Sequence, residues 1–365
     1  MTKKQVLFVG DLNKSLPEYQ EFHKKYDCID YKITSRDQLL GNLKSEFKDI
    51  HAIYAAWLGF IPIGGFRTVL KGYKPKNLKI LSLCSVGYDH LDGEELAKQD
   101  IILTNVPSDG AALPVADLVL FLTITSFRQF QIYAKQLTKI SDTIQLRYKL
   151  ANEPYNSEKG QAHLTKRGAG YHFGEYINKR SNLNPNGHNV VIIGFGQIGK
   201  LIGKKLHQLG MNVTYVKRNK LAKEEEVKLG YKAQYASSIN EAITQNRIDL
   251  IVIACPQTPQ TYHLINEEVI TQIPNPFRII NIGRGAIIDE TALLNGLKSG
   301  KILFAGLDVF ENEPHINPEL IERDDVYLTP HIGASTVENF DYTAVQALKN
   351  IDLVLSDKEA INKVN

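Results

Sequence analysis

The chain has 365 residues, 43% hydrophobic and 23% charged, the composition of a soluble globular protein with room for two domains of ordinary size. Its 43 basic and 40 acidic residues leave a net charge of +3, so nothing in the balance calls for nucleic acid or an anionic membrane as partner. Three cysteines (Cys28, Cys84, Cys255) lie far apart without metal-ligand spacing, which argues against a disulfide framework and for a reducing, cytosolic compartment.

The apolar run that opens the chain is too short for a secretory signal and reads as a first strand. Strand-like runs at 5–9, 29–33, 52–56, 79–83 and 101–104 alternate with helical stretches. One such stretch is 16–26, with Ser15 read as its N-cap and Pro17 in its first turn. This alternation predicts βαβ units on a parallel sheet. Residues 111–148 are long, apolar in places and rich in helix formers. Their most apolar part, 113–125, contains Asp117, reads as too short to span a bilayer, and is expected in the core or at a subunit contact. Residues 152–189 are polar, with Gly, Pro and Asn throughout, too long for an ordinary connection and expected either disordered or wrapped over a partner subunit.

The strand and helix alternation resumes at 190, with strands expected at 190–193, 213–216, 249–254, 278–282, 303–307 and 326–328. Between the first two lies the most telling motif of the chain. Gly194, Gly196 and Gly199 stand in G-x-G-x-x-G spacing, after an apolar strand and before a helix at 197–209 that opens with Gln197 and Ile198. The first glycine permits the tight turn, the second lets a pyrophosphate approach the backbone, and the third lets helix and strand pack closely. The helix N-terminus adds unpaired amides and a partial positive charge. The next strand ends at Lys217 and Arg218, where a dinucleotide site usually carries an acid for the adenosine ribose. A basic pair there favours the extra phosphate of NADP(H), with NAD(H) as the alternative cofactor; the bland alternative is a solvated strand end. Lys200, Lys204 and Lys205 read as a solvated helix face.

Further on, Asp289 reads as the N-cap of a helix that Gly300 ends, and Ser335-Thr336-Val337-Glu338 as a capping box for the last helix. Three segments follow predicted strands and join reactive residues to turns: Asn281-Ile282-Gly283-Arg284-Gly285, the run from Gly306 to Pro314 with Asp308 and Glu313, and Thr329-Pro330-His331-Ile332-Gly333. In an open α/β sheet the carboxyl ends of strands line the binding crevice, so these residues can converge. Arginine forks bind carboxylates, histidine exchanges protons near neutral pH, and a carboxylate orients such a histidine. Glu311 competes with Glu313 for that last part, and spacing alone does not choose.

Taken in order, these motifs resemble the D-isomer-specific 2-hydroxyacid dehydrogenases over nearly the whole length. The resemblance implies a two-domain α/β fold with parallel sheets: a Rossmann dinucleotide-binding domain at 111–334 with a long inserted segment at 152–189, and a flavodoxin-like substrate domain at 1–110 completed by 335–365. Two chain crossings between domains then make hinge closure over a cleft an expectation. It implies Arg284 as ligand of the substrate carboxylate and carbonyl, His331 as acid/base and Glu313 as its partner. Asp308 would face the nicotinamide carboxamide. Cys255, Pro256, Ile282, Gly283 and Gly333 would line the cofactor, and the amides of Val86 and Gly87 in Ser85-Val86-Gly87-Tyr88-Asp89 would hold the substrate carboxylate. Thr104-Asn105-Val106-Pro107 is a further family-like segment. Trp57 is either core or a wall of the substrate pocket, with Phe60 and Tyr88 as further candidates. The family also implies a homodimer; from composition and spacing, no metal and no nucleic-acid or membrane partner is expected. Departures are the basic Lys217 and the Ala116-Asp117-Leu118 run. Asn184-Pro185-Asn186-Gly187-His188 and Pro318-Glu319-Leu320-Ile321 resemble the D-mandelate dehydrogenase branch; glyoxylate and hydroxypyruvate are the smaller alternatives to a bulky substrate such as phenylglyoxylate. Formate dehydrogenase and a non-catalytic, dinucleotide-sensing corepressor of the C-terminal-binding-protein type are the competing readings.

Overall fold

A computed structural model describes residues 3–57, 59–60, 63, 73–88, 91, 93–151, 155–156, 161–162, 173–178 and 180–365. The chain divides into two compact units, Met1–Ala111 with Ala334–Asn365, and Ala112–Gly333.

In the first unit β1 (Gln5–Val9), α1 (Pro17–Lys25), β2 (Asp27–Tyr31), α2 (Arg36–Lys44), β3 (Ala52–Ala55), β4 (Ile80–Leu83), α3 (Gly93–Lys98) and β5 (Ile102–Thr104) alternate as expected. The strands form one parallel sheet in the order β2-β1-β3-β4-β5, the flavodoxin-like arrangement. Residues of β1, β3 and β4 are almost all buried, because both faces of a parallel sheet are covered. One face carries Leu39, Leu43 and Phe47; the other is covered by α1 and the C-terminal helix, through Ala344, Ala347, Leu348, Ile351 and Val354. Those helical positions recur every three or four residues, one stripe of a 3.6-residue helix. Each large aliphatic among them stabilises by roughly 1.5–3 kcal/mol. The last residues then run antiparallel along the β5 edge, with a bridge from Thr104 to Lys363.

The second unit starts in α4 (Asp109–Arg128), followed by α5 (Phe130–Leu137) and α6 (Thr143–Leu150). The apolar region expected as one stretch is thus three helices, the first broken at Gln129, whose φ of 51° takes the chain out of helix. Helix α4 also corrects the membrane estimate. By length and composition its 20 residues suffice to cross a bilayer, yet Ala116, Val119, Leu122 and Phe127 are buried in a core cluster. About half of 152–189 lies outside the described residues; the described parts include two short antiparallel ladders, β6 (Tyr155–Asn156) with β7 (Gln161–Ala162) and β8 (Tyr176–Ile177) with β9 (Arg180–Ser181).

Then come β10 (Asn189–Ile193), α7 (Gln197–Gln208), β11 (Asn212–Val216), α8 (Lys223–Leu229), β12 (Ala233–Ala236), α9 (Ile239–Gln245), β13 (Leu250–Ile253), α10 (Glu267–Gln272), β14 (Phe277–Asn281), α11 (Glu290–Ser299), β15 (Ile302–Leu307), α12 (Pro318–Ile321), β16 (Val326–Leu328) and α13 (Val337–Leu355). The sheet is fully parallel, in the order β12-β11-β10-β13-β14-β15-β16. Strand order reverses at β10, the topological switch point where such sheets bind ligands.

Helix ends refine the sequence reading. Asp289 caps α11 by accepting from the Ala292 amide, and Gly300 ends it at φ +75°. Ser15 is not a cap: the α1 N-cap is Leu16, and the Ser15 hydroxyl donates to Asn13 Oδ1. The last helix is capped by Thr336, whose hydroxyl accepts from the Asn339 amide, one residue beyond Ser335. Lys200 and Lys205 are not a solvated face either. They pair with Glu225 and Asp117, each at 2.7 Å, and only Lys204 stays exposed.

Candidate active site

Each glycine of the motif meets a different constraint. Gly194 ends β10 at φ +92°, and a Cβ there would stand 2.6 Å from the Cys255 amide nitrogen. At Gly199 a Cβ would come within 2.2 Å of the Gly194 carbonyl oxygen, so only glycine lets α7 approach β10 so closely. At Gly196 a Cβ would meet nothing within 4 Å. That glycine therefore keeps space clear at the N-terminus of α7, beside Gln197 and Ile198, where a pyrophosphate would sit on helix amides. These features fit a dinucleotide. The neighbouring strand ends are tightly set as well: a Cβ on Gly283 would lie 2.6 Å from the Cys255 carbonyl, which brings Cys255-Pro256 and Ile282-Gly283 side by side. Burial pushes the Cys255 thiol up to about 11, so it is neutral and unreactive at physiological pH.

Lys217 and Arg218 follow β11 directly, next to β10 in the sheet. Among the described residues neither side chain makes an ion pair or hydrogen bond.

At the end of β14, Asn281 shapes the turn that carries Arg284. Its side-chain oxygen accepts from the Gly283 amide at 3.0 Å and its amide donates to the Arg284 carbonyl at 2.9 Å. Arg284 then caps a short 3-10 turn, Gly285–Ile287, and donates from Nη1 to the Gly283 carbonyl. Asn281 opens the Asn281–Gly285 run legible in the sequence, but its role in shaping the turn comes only from these two hydrogen bonds.

Glu313 and His331 come together after β15 and β16. Glu313 Oε2 lies 3.0 Å from His331 Nδ1, and Oε1 accepts from the Phe310 amide at 3.0 Å. Burial alone would push the Glu313 carboxyl up. The His331 hydrogen bond and charge, the Phe310 amide and the Arg284 charge outweigh it and hold the group below the usual carboxylate range. Glu313 is therefore an anion at neutral pH, suited to orient an imidazole.

Glu311, the competing carboxylate, has a separate partner. Its Oε1 lies 2.7 Å from His263 Nε2 and its Oε2 accepts from the Glu290 amide. His263 is stacked on Tyr262 and donates its amide to the Ala286 carbonyl. Two histidine–carboxylate pairs thus flank the Arg284 turn, and the choice between the two glutamates is made by tertiary position.

Asp308 is 3% exposed, and its carboxylate is turned onto the next loop. Oδ1 accepts from the Thr329 hydroxyl and the Ile332 amide, and Oδ2 from the Gly333 amide. His331 lies inside this bracket at φ 55°, a costly conformation for a non-glycine residue. What the structure gives Asp308 is the role of holding the histidine loop; the expected contact with a nicotinamide carboxamide lies outside what these bonds display.

In the first unit Trp57 follows β3 and is 42% exposed, which rules out its reading as plain core. Phe60 is the buried one, and Tyr88 is 40% exposed. Residues Ser85–Tyr88 follow β4, and Asn105 and Val106 follow β5 beside them.

A glycine cradle at the switch point, with arginine, histidine and glutamate at adjacent strand ends, is an arrangement that fits a dinucleotide-dependent oxidoreductase. Residues 163–333 match the family model described as D-isomer specific 2-hydroxyacid dehydrogenase, NAD binding domain. Glyoxylate reductase 1 of Saccharomyces cerevisiae is 32% identical over 88% of this chain and 83% of its own length. A glyoxylate reductase of Pyrococcus horikoshii is 32% identical over 75% of this chain and 72% of its own. Among solved structures, the D-mandelate dehydrogenase of Rhodotorula graminis aligns over 100% of this chain and 98% of that one, with 29% identity and a TM-score of 0.83. The chain belongs to the D-isomer specific 2-hydroxyacid dehydrogenase family and is an oxidoreductase with an NAD(P)-binding Rossmann domain.

Proposed function

We propose that the protein is an NADP(H)-preferring reductase that interconverts a 2-oxo acid and a D-2-hydroxy acid. The observation that carries this reading is the His331–Glu313 pair at 3.0 Å, set in the same unit as the Arg284 turn and the glycine cradle. The bound dinucleotide would supply the hydride. Arg284 would hold the substrate's carboxylate and polarise its carbonyl through two charge-assisted hydrogen bonds. With Nδ1 engaged by Glu313, Nε2 of His331 is the nitrogen that would give a proton to the developing alkoxide, and Glu313 would stabilise the imidazolium before transfer. In oxidation the proton returns to the same nitrogen. Formate oxidation needs no such proton exchange, so the glutamate argues against that chemistry.

Lys217 and Arg218 support the cofactor preference: two cations at the end of β11, whose side chains make no hydrogen bond or ion pair among the described residues, suit a ribose phosphate and would leave an unphosphorylated ribose without its acid. The large aromatic residues Trp57 and Tyr88, exposed after β3 and β4, favour a substrate bulkier than glyoxylate. The exposed Leu113, Phe121, Phe130 and Leu137 on α4 and α5 suit a homodimer contact.

The test is NADPH and NADH oxidation with glyoxylate, hydroxypyruvate and phenylglyoxylate side by side. Faster turnover per KM with NADPH is expected, and Lys217→Asp with Arg218→Ser should reverse the preference. Native preference for NADH would refute the reading of the basic pair. Consumption of neither cofactor with any 2-oxo acid would favour a non-catalytic dinucleotide binder.

A further inference from the structure

We propose that Asn105 is a positioning residue for the substrate carboxylate. In this role it fixes the peptide planes that present the Val86 and Gly87 amides, and the carbonyl of Asn362 in the C-terminal tail anchors it. The inference rests on the proposed reduction of a 2-oxo acid and adds to it residues from two remote segments of the chain.

The loop after β4 is tied down through its carbonyls. The Val106 amide donates to the Ser85 carbonyl at 3.2 Å, and Asn105 Nδ2 donates to the Val86 carbonyl at 2.8 Å. The Ser85 hydroxyl donates to the Gly87 carbonyl at 2.7 Å. A trans peptide is planar, with its C=O and N–H pointing in opposite directions. Drawing the Ser85 and Val86 carbonyls towards the Asn105–Val106 segment therefore turns the Val86 and Gly87 N–H groups to the other side, both together. In an ordinary strand successive amides point to opposite edges. Two that share a side form a concave anion nest, the shape a carboxylate requires. Among the described residues no hydrogen bond uses either amide as donor.

Asn105 is itself held from a distance. Its own amide donates to the Asn362 carbonyl at 3.2 Å, and the tail carrying that carbonyl is fastened on both sides. Asn350 Oδ1 on α13 accepts from the Ile361 amide. The Asn365 side chain accepts from the Leu103 amide and donates to the carbonyls of Gly93 and Ile101. The C-terminal tail is thus a brace for β5 at the point where β5 hands over to Asn105.

Two variants test this in the full-length enzyme. Asn105→Ala removes the donor to the Val86 carbonyl, and Asn105→Asp keeps the shape but replaces donor by acceptor. Each should raise KM for the best 2-oxo acid at least tenfold while changing kcat less than threefold and KM for NADPH less than twofold. Asn105→Asp should give the larger rise, because it also puts a negative charge beside the incoming carboxylate. Deleting residues 362–365 should reproduce the KM rise with the Asn105 side chain intact. A 2-oxo acid KM within twofold of the wild type in both point variants, or an equal rise in KM for NADPH, would overturn the proposal. If the wild type reduces no 2-oxo acid, the functional reading fails, and calorimetric binding of oxalate then decides the positioning role. In that case tenfold weaker oxalate binding by Asn105→Ala supports it, whereas equal binding, or none by the wild type, overturns it.

Discussion

At His331 and Gly285 the backbone carries as much of the argument as the side chains. His331 sits at φ 55°, so its imidazole is aimed by a conformation that costs on the order of 1–3 kcal/mol. If His331 is the acid–base group proposed above, His331→Ala is expected to cut kcat by about 10²–10⁴-fold, with NADPH affinity by fluorescence titration unchanged. Gly285 has no such freedom to lose. A Cβ there would stand 1.8 Å from the Phe310 carbonyl carbon, in the backbone that leads to Glu313. Gly285→Ala should therefore cost at least roughly 1–3 kcal/mol in a denaturant melt and lower activity as well, since relief means moving the Glu313 loop or the Arg284 turn. The glycine motif was legible in the sequence because the need of each glycine is local. Gly285 gave no such signal, because what crowds it comes from 25 residues further along the chain.

Among the elements, the ends of β15 and β16 form one device. Asp308, after β15, accepts three hydrogen bonds from the loop after β16. Asp308→Asn keeps the volume but replaces one acceptor oxygen by a donor facing the Gly333 amide or the Thr329–Ile332 pair. A loss on the order of 3 kcal/mol is expected from the buried unsatisfied amides. A drop in kcat should accompany it, and the two would be read together by a urea melt and a turnover assay; unchanged kcat would separate Asp308 from the positioning of His331. Elements as such were legible: strand and helix alternation, the Asp289 and Gly300 ends of α11, and the three reactive segments after strands. Their exact ends were not. Ser15 and Ser335 have the chemistry of caps, but the chain enters α1 and α13 one residue later, at a point set by the packing of Tyr19 and Phe22 and of Ala344 against the sheet. The short edge strand β12 also went unread, since its pattern of part-buried residues lacks the apolar run that marks a central strand.

For the molecule as a whole, pH stability follows from buried carboxylates that stay charged. Asp249, 4% exposed, accepts from the Asn189 amide that starts β10 and from Arg247, and pairs with His188. Burial would raise its pKa, but these partners together hold it below the ordinary aspartate value. A folded-state pKa below the unfolded one means that the stabilisation is present above the unfolded value, ~3.9, and is lost as pH falls through the folded value. The wild-type urea midpoint should therefore fall on acidification below about pH 4. Asp249→Asn should start lower at pH 7 and fall less over the same range; parallel curves would show that Asp249 does not carry this part of the acid sensitivity.

The order of residues along the chain was enough to determine the two α/β units, the dinucleotide cradle and the list of reactive residues. All of these depend on local periodicity, glycine geometry and position at strand ends. Tertiary structure alone assigned Glu313 to His331 and Glu311 to His263, turned Asp308 onto the histidine loop, placed Trp57 outside the core and set the C-terminal tail against Asn105. These outcomes depend on which strand ends and loops are neighbours in space, and residues 18, 48 or 257 positions apart become partners only when the sheets have formed.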